Sequence, residues 1–186
     1  MNLKEEQLNA EYLYKGKIIN VRRDTARLPD GSTALREVVE HPGGVCVAAL
    51  TDDDEILFVR QFRYPYFEEI LEIPAGKRDF PDEDPLECGK RELREETGAV
   101  AEKYTFLGQL YPTPGYCGEI IWLYAATGLS FGDCDPDDDE FLQVVRIPFD
   151  EAIEKVMSGE IKDAKTQTAL LKLKILRQTA AEKFNV

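Results

Sequence analysis

Short extended runs interrupted by a few strongly signalled helices predict an α/β (α+β) sandwich around a mixed sheet, preceded by a separate N-terminal antiparallel sheet. Three observations carry this. Apolar or alternating runs recur from residue 17 to residue 147. Asp84-Pro85-Leu86-Glu87 combines an N-cap residue, a proline at the first helical position and an early acidic residue, which is a helix start. His41-Pro42-Gly43-Gly44 breaks the pattern, so the expected units are residues 1–42 and 43–186.

Residues 17–28 and 33–41 are expected as strands, with Pro29-Asp30-Gly31 as the turn between them. Val45–Leu50 is a continuous apolar strand. Asp52-Asp53-Asp54 turns the chain back into Ile56–Arg60. The Asp triplet reads as a solvated hairpin tip in preference to a metal site. Strands follow at 70–74, 105–111, 119–127 and 141–147. The helix opened by Asp84 should stop at Gly98. A second helix should be capped by Asp150 and end at Gly159, and a third should cover 163–183, with Ala169, Leu170, Leu173 and Ile175 among its apolar positions. No internal repeat or low-complexity linker is present.

Composition narrows the function. The 186 residues carry 23 Lys+Arg against 36 Asp+Glu, a formal charge of −13. That excludes a generic nucleic-acid surface, which needs a basic face. A 43% hydrophobic content supports a real core and argues against disorder. No run of about 18 apolar residues suggests a membrane span, and the N-terminus lacks a secretory pattern. The four cysteines (Cys46, Cys88, Cys117, Cys134) form no C-x-x-C pair, and His41 is the single histidine. A Cys/His zinc site is therefore excluded, and free thiols in a reducing cytoplasm are expected. If the substrate is an anion, something must neutralise the site.

Residues 76–99 are the informative segment. Leu86, Leu93 and Thr97 share a helical stripe with Gly89, which suits close packing on a sheet. Glu92 and Glu96 lie four residues apart, one above the other, with Glu95 adjacent. Such a cluster is either a solvated acidic face or a hard-cation site for Mg²⁺ or Mn²⁺.

The segment resembles the Nudix box, whose pattern is Gly, five residues, Glu, seven residues, then Arg-Glu-aliphatic-x-Glu-Glu-x-Gly-aliphatic. Glu83, seven residues, and Arg91-Glu92-Leu93-Arg94-Glu95-Glu96-Thr97-Gly98 match in register. Six residues instead of five separate Gly76 from Glu83, and Ala99 is small for its place. Val59–Arg63, Leu71–Gly76, Tyr111–Gly115, the placement of Pro114 sixteen residues after Gly98, and the tail Ser158–Thr166 are similar to the ADP-ribose pyrophosphatase group.

This resemblance implies a Nudix-type α/β/α sandwich and metal-dependent hydrolysis of ADP-ribose to AMP and ribose 5-phosphate. GDP-mannose, NADH or another dinucleotide is the alternative substrate. A non-catalytic module is a further rival, although no carboxylate of the box is missing. Glu92 and Glu96 would bind Mg²⁺ or Mn²⁺ with the Ala75 carbonyl, Glu95 would be a further ligand, and Arg91 would brace the carboxylates. The loop Phe131–Glu140 would supply a carboxylate for the attacking water, with Glu140 expected and Asp139 the runner-up. A calcium-loop reading fails there, because Asp138 stands where Gly is obligatory and Val144 where a bidentate Glu belongs. Arg36 and Arg63 would grip phosphate or adenine, and Glu72 and Glu119 would accept from ribose hydroxyls. Gly118 departs from the usual acidic residue there. Arg60 reads equally well as a surface ion pair, and His41 as structural. The partners implied are a small nucleoside diphosphate sugar and a second copy in a cytoplasmic homodimer, whose N-terminal strands cross to the other subunit.

Overall fold

The computed structural model describes residues 2–80, 82–135 and 141–184. It contains ten strands and three helices among those residues. β1 (Glu6–Lys15), β2 (Asn20–Arg27) and β3 (Thr33–Glu40) form an antiparallel sheet in that order. β4 (Gly44–Ala49), β5 (Glu55–Arg63), β6 (Glu68–Glu72), β7 (Ala75–Lys77), α1 (Pro85–Thr97), β8 (Ala99–Leu110), β9 (Ile121–Phe131), β10 (Leu142–Pro148), α2 (Phe149–Ser158) and α3 (Ala164–Phe184) follow. One four-stranded sheet runs β7-β4-β9-β8, with β4 and β9 parallel, and a three-stranded antiparallel sheet runs β10-β5-β6.

The two faces of β4 explain the layers. Val47 and Ala49 pack with Leu57, Leu93, Ala99 and Ala126 on the α1 side. Cys46 and Ala48 point the other way, into a cluster with Ile153, Leu170 and Leu173 of α2 and α3. A strand buried on both faces must be apolar at every position, which is why Val45–Leu50 is unbroken by polar residues. The result is the expected α/β/α sandwich around a mixed sheet.

Several elements depart from the expectations. β1 was not anticipated, and every one of its residues is exposed, so no buried face gave it a period. β7 is only three residues long, too short for a pattern. α2 begins at Phe149 after Pro148, with no side-chain cap, so Asp150 sits inside its first turn. The Phe149 N–H at its start donates to the Asp54 carbonyl at 2.8 Å, and the acidic first turn complements the helix dipole. Ile175 is exposed, unlike Ala169, Leu170 and Leu173. Asp52, Asp53 and Asp54 form an exposed tip, where Asp54 pairs with Arg177 at 2.7 Å.

α1 starts and stops as its sequence requires. The Asp84 carboxylate accepts from the Leu86 and Glu87 N–H groups at 2.9 and 3.1 Å. Gly98 caps the other end at φ +68°, and its N–H donates to the Arg94 carbonyl. A methyl there would collide with the Gly132 carbonyl oxygen, whereas Gly159, at φ +81°, has nothing within 4 Å. Gly159→Ala should therefore cost only the left-handed strain, about 1–2 kcal/mol. That corresponds to a fall in Tm of about 2–8 °C. Gly98→Ala should lower Tm further, because the 132 backbone must also move. Thermal melts of the two variants check this, and equal shifts would contradict it.

Candidate active site

The carboxylates of α1 meet the backbone of β7. Glu96 is 2% exposed, and its Oε2 accepts the Ala75 N–H at 3.0 Å. Glu92 is 8% exposed and lies against Gly76 so closely that any Cβ on residue 76 would overlap its carboxylate. Glycine at 76 is thus a steric condition for Glu92. Glu95, one residue before Glu96, is half-buried.

Arg91 braces this cluster. Its Nη1 lies 2.9 Å from Glu92 Oε1 and 3.0 Å from Glu95 Oε2. Its Nη2 faces Glu83 at 3.5 Å and Asp79 at 3.6 Å. Burial alone would favour loss of its proton, but the carboxylates of Glu92, Glu95 and Asp79 more than reverse that, so the cation is held firmly. Glu83 in turn accepts the Asp79 N–H at 2.8 Å, which folds the loop ahead of the helix. Burial, reinforced by Glu83 and Glu92, pushes the Cys88 thiol up to about 12, so it remains a neutral thiol beside the cluster.

Among the described residues, no three His, Cys, Asp or Glu side chains converge as a ready-made metal cage. The donor chemistry nevertheless fits a hard divalent cation. Glu92, Glu95, Glu96 and the Ala75 carbonyl offer only oxygen, two of the carboxylates are buried, and Gly76 gives the Glu92 carboxylate the space a side chain would fill, beside the Ala75 backbone.

The residues expected to contact substrate are dispersed around this corner. Arg63 and Glu72 hold each other, with Arg63 Nε–Glu72 Oε1 at 2.5 Å and Nη2–Oε2 at 2.8 Å. Lys165 also donates to Glu72. Burial raises the Glu72 carboxyl, but the Arg63 hydrogen bonds and the charges of Lys165 and Arg63 outweigh it and keep it below its ordinary value. Arg36 donates to Glu5 through Nε at 2.9 Å and Nη2 at 2.7 Å, beside a cavity of about 250 Å³ that also touches Asp24 and Gly115. Glu119 lies 3.4 Å from His41 Nδ1. That nitrogen accepts the Gly43 N–H, so the approach is no hydrogen bond.

Two backbone links connect the flanking loops to the site. Val39 N–H donates to Tyr116 O at 2.8 Å, and Gly118 N–H donates to Val39 O at 2.9 Å, which ties the N-terminal sheet to the 111–118 loop. Asp135 N–H donates to Glu95 O at 3.0 Å, which fixes the start of the acidic loop on the end of α1. Glu140 and Asp139 lie outside the described residues. Sequence reasoning assigned no role to Lys165 or Thr166. The signal available was a lysine and threonine in a tail similar to the same group, but nothing in their spacing pointed at Glu72.

Comparison with known proteins identifies the family. The NUDIX domain family matches residues 33–170, and the nucleoside diphosphate sugar hydrolase N-terminal domain matches residues 5–39. The chain is 38% identical to an ADP-ribose pyrophosphatase of Bacillus subtilis (strain 168), over 98% of this chain and 99% of the relative. It is also 38% identical to a methanol dehydrogenase activator of Bacillus methanolicus, over 92% and 93% respectively. The solved structure of an ADP compounds hydrolase, at 23% identity, superposes with a TM-score of 0.82 over the full length of both chains, which supports the fold. Nudix hydrolases generally need a divalent metal, and α1 with its Arg91-Glu92…Glu95-Glu96 run is the segment that would hold it here. The chain belongs to the NUDIX domain family and is a hydrolase of pyrophosphate bonds in nucleoside diphosphate derivatives.

Proposed function

We propose that this chain is a cytoplasmic, homodimeric pyrophosphatase that uses Mg²⁺ or Mn²⁺ to hydrolyse ADP-ribose to AMP and ribose 5-phosphate. The observation that supports it most directly is the buried end of α1, where Glu96 and Glu92 are held against the backbone of Ala75 and Gly76. A free thiol at each of the four cysteines agrees with a reducing compartment. No helix among the described residues is long and apolar enough to cross a membrane.

A pyrophosphate ester is doubly negative, and a protein of charge −13 repels it. A divalent cation, when bound, supplies neutralisation of phosphate charge and a bound water of lowered pKa. Glu92, Glu96 and the Ala75 carbonyl would hold it, with Glu95 as a further ligand. Arg91 keeps those carboxylates oriented and limits their mutual repulsion. Glu140, or Asp139 in its stead, would take the proton of the attacking water. Arg36 would reach phosphate or adenine once released from Glu5. Arg63 keeps a partly exposed guanidinium beside Glu72 and can present it to a phosphate. Glu72, already held by Arg63 and Lys165, suits the work of aiming Arg63 better than that of binding a ribose hydroxyl. Glu119 remains the candidate for the ribose.

Residues 1–42 would form the dimerising sheet and residues 43–186 the hydrolase domain. Tyr12, Leu13 and Tyr14 on β1 are exposed, which is costly for an isolated edge strand and suits a second copy.

A substrate panel tests the reading: ADP-ribose, GDP-mannose and NADH, with Mg²⁺ and Mn²⁺, scored by kcat/KM. Phosphate release in the presence of added phosphatase is the signal. ADP-ribose should lead. Another leader would reassign the substrate, and no turnover of any would leave a binding module.

Glu96→Gln should lower turnover by orders of magnitude while circular dichroism shows an intact fold, because the amide oxygen can still accept from Ala75 but the charge is gone. Near-normal turnover at saturating Mg²⁺ would refute the ligand assignment. Removal of residues 1–41 should abolish both dimerisation and substrate affinity. A monomer with the original KM would sink the idea of a shared site. Glu140→Gln should lower kcat by about 10²–10⁴-fold with little change in KM, the range for a general base. Asp138→Asn should do little. If Asp139→Asn is instead the damaging change, the base lies one residue earlier.

A further inference from the structure

We propose that Lys165 and Thr166, at the N-terminus of α3, are positioning residues for the cation-binding corner made by Ala75 and Glu96. The inference rests on the reading of those two residues as cation ligands. It concerns the four residues Glu72-Ile73-Pro74-Ala75, which carry the chain from β6 into β7. Each is held by another part of the fold. The Glu72 carboxylate is gripped by Arg63 of β5 and by Lys165. Ile73 N–H donates to Thr166 Oγ1 at 3.0 Å. Pro74 O accepts the Val47 N–H of β4 at 2.9 Å. Ala75 N–H donates to Glu96 Oε2 of α1 at 3.0 Å.

The α3 side of this arrangement is itself fixed. Asp163 accepts from Thr166 N–H at 2.9 Å and from Thr166 Oγ1 at 2.5 Å, and Lys165 Nζ lies 3.0 Å from its Oδ1. The single hydroxyl proton of Thr166 is therefore committed to Asp163, which leaves its oxygen as an acceptor for Ile73. Thr166 is fully buried, and Lys165 nearly so. A buried ion pair is weak evidence of stabilisation, because apolar residues of similar volume would serve a core as well. Its best-attested use is to set register. Here the register set is that of Ile73 to Ala75, and Ala75 bonds Glu96 directly. A partner bonded directly to a metal ligand is worth about 10–100-fold in metal affinity, and Thr166, which acts one step removed through Ile73, belongs at the lower end of that range.

The test is Mn²⁺ binding to the full-length, metal-free protein, followed by electron paramagnetic resonance of free Mn²⁺, alongside ADP-ribose kinetics. Thr166→Val should weaken Mn²⁺ binding about tenfold or more. It should also lower kcat, with KM for ADP-ribose little changed at saturating Mn²⁺. Thr166→Ser, which keeps the hydroxyl, should restore both. Glu96→Gln is the control for the reading beneath. If it binds Mn²⁺ like the wild type, the ligand assignment fails and this inference falls with it. If Glu96→Gln loses Mn²⁺ while a folded Thr166→Val keeps wild-type affinity, only the positioning role is overturned. A Thr166→Ser variant as weak as Thr166→Val would also overturn it, since packing of the methyl group would then be the cause. Should Thr166→Val not fold, Lys165→Met decides on the same titration, with weakened Mn²⁺ binding expected and unchanged binding fatal to the proposal.

Discussion

Close approach of α1 to the sheet is the constraint on which the rest of the structure depends. Two glycines permit it. A Cβ on Gly89 would lie 3.0 Å from Val45 Cγ2 and 3.3 Å from Val47 Cγ2, so the helix rests on β4 with no spare room. Gly76 yields the space occupied by the Glu92 carboxylate. The approach brings helix carboxylates out of water, and each must then find a partner of its own. Glu96 takes the Ala75 N–H, and Glu92 takes the Arg91 guanidinium. A shared cation would answer the same need with greater charge, which is how a steric fit becomes a chemical site.

Much of this was legible in the sequence, and the reasons differ by element. α1 was readable to the residue because its signals are local: a capping Asp84, Pro85 at the start and Gly98 at the stop act through neighbouring backbone. β4 was readable because burial on both faces leaves an unbroken apolar run. β1 was not, since a strand exposed at every position carries no period-two pattern. β7 escaped for its length, and α2 began one residue before Asp150 because its first N–H is taken by the Asp54 carbonyl, a long-range bond that no local signal carries.

The site divides in the same way. Glu92, Glu95, Glu96 and Arg91 share one helix, so spacing alone places them together. Arg63, Glu72 and Lys165 meet only after β5, β6 and α3 have packed, across 93 residues of sequence in the case of Glu72 and Lys165. No periodicity encodes a pairing of that range. Arg63 and Glu72 could be named as polar residues near the box, but not as partners of each other.

That pairing changes what the charges accomplish. In a protein of net charge −13, Arg36 and Arg63 would be the natural attractors of an anionic ligand, yet each is held by a carboxylate, Glu5 and Glu72. An arginine so held gives up some attraction for phosphate but gains a fixed direction, and a guanidinium fork depends on direction for bidentate recognition. The two cases differ in depth. Glu72 and Lys165 are buried, so release of Arg63 would take a partner from a carboxylate held out of water, and Arg63 must act with Glu72 still attached. Glu5 is exposed on the N-terminal segment, where water can replace it at little cost. Arg36 is therefore the arginine that can change partners, and it sits on the sheet bonded through Val39 to the 111–118 loop. A ligand that displaces Glu5 would act on the sheet that this link ties to the loop.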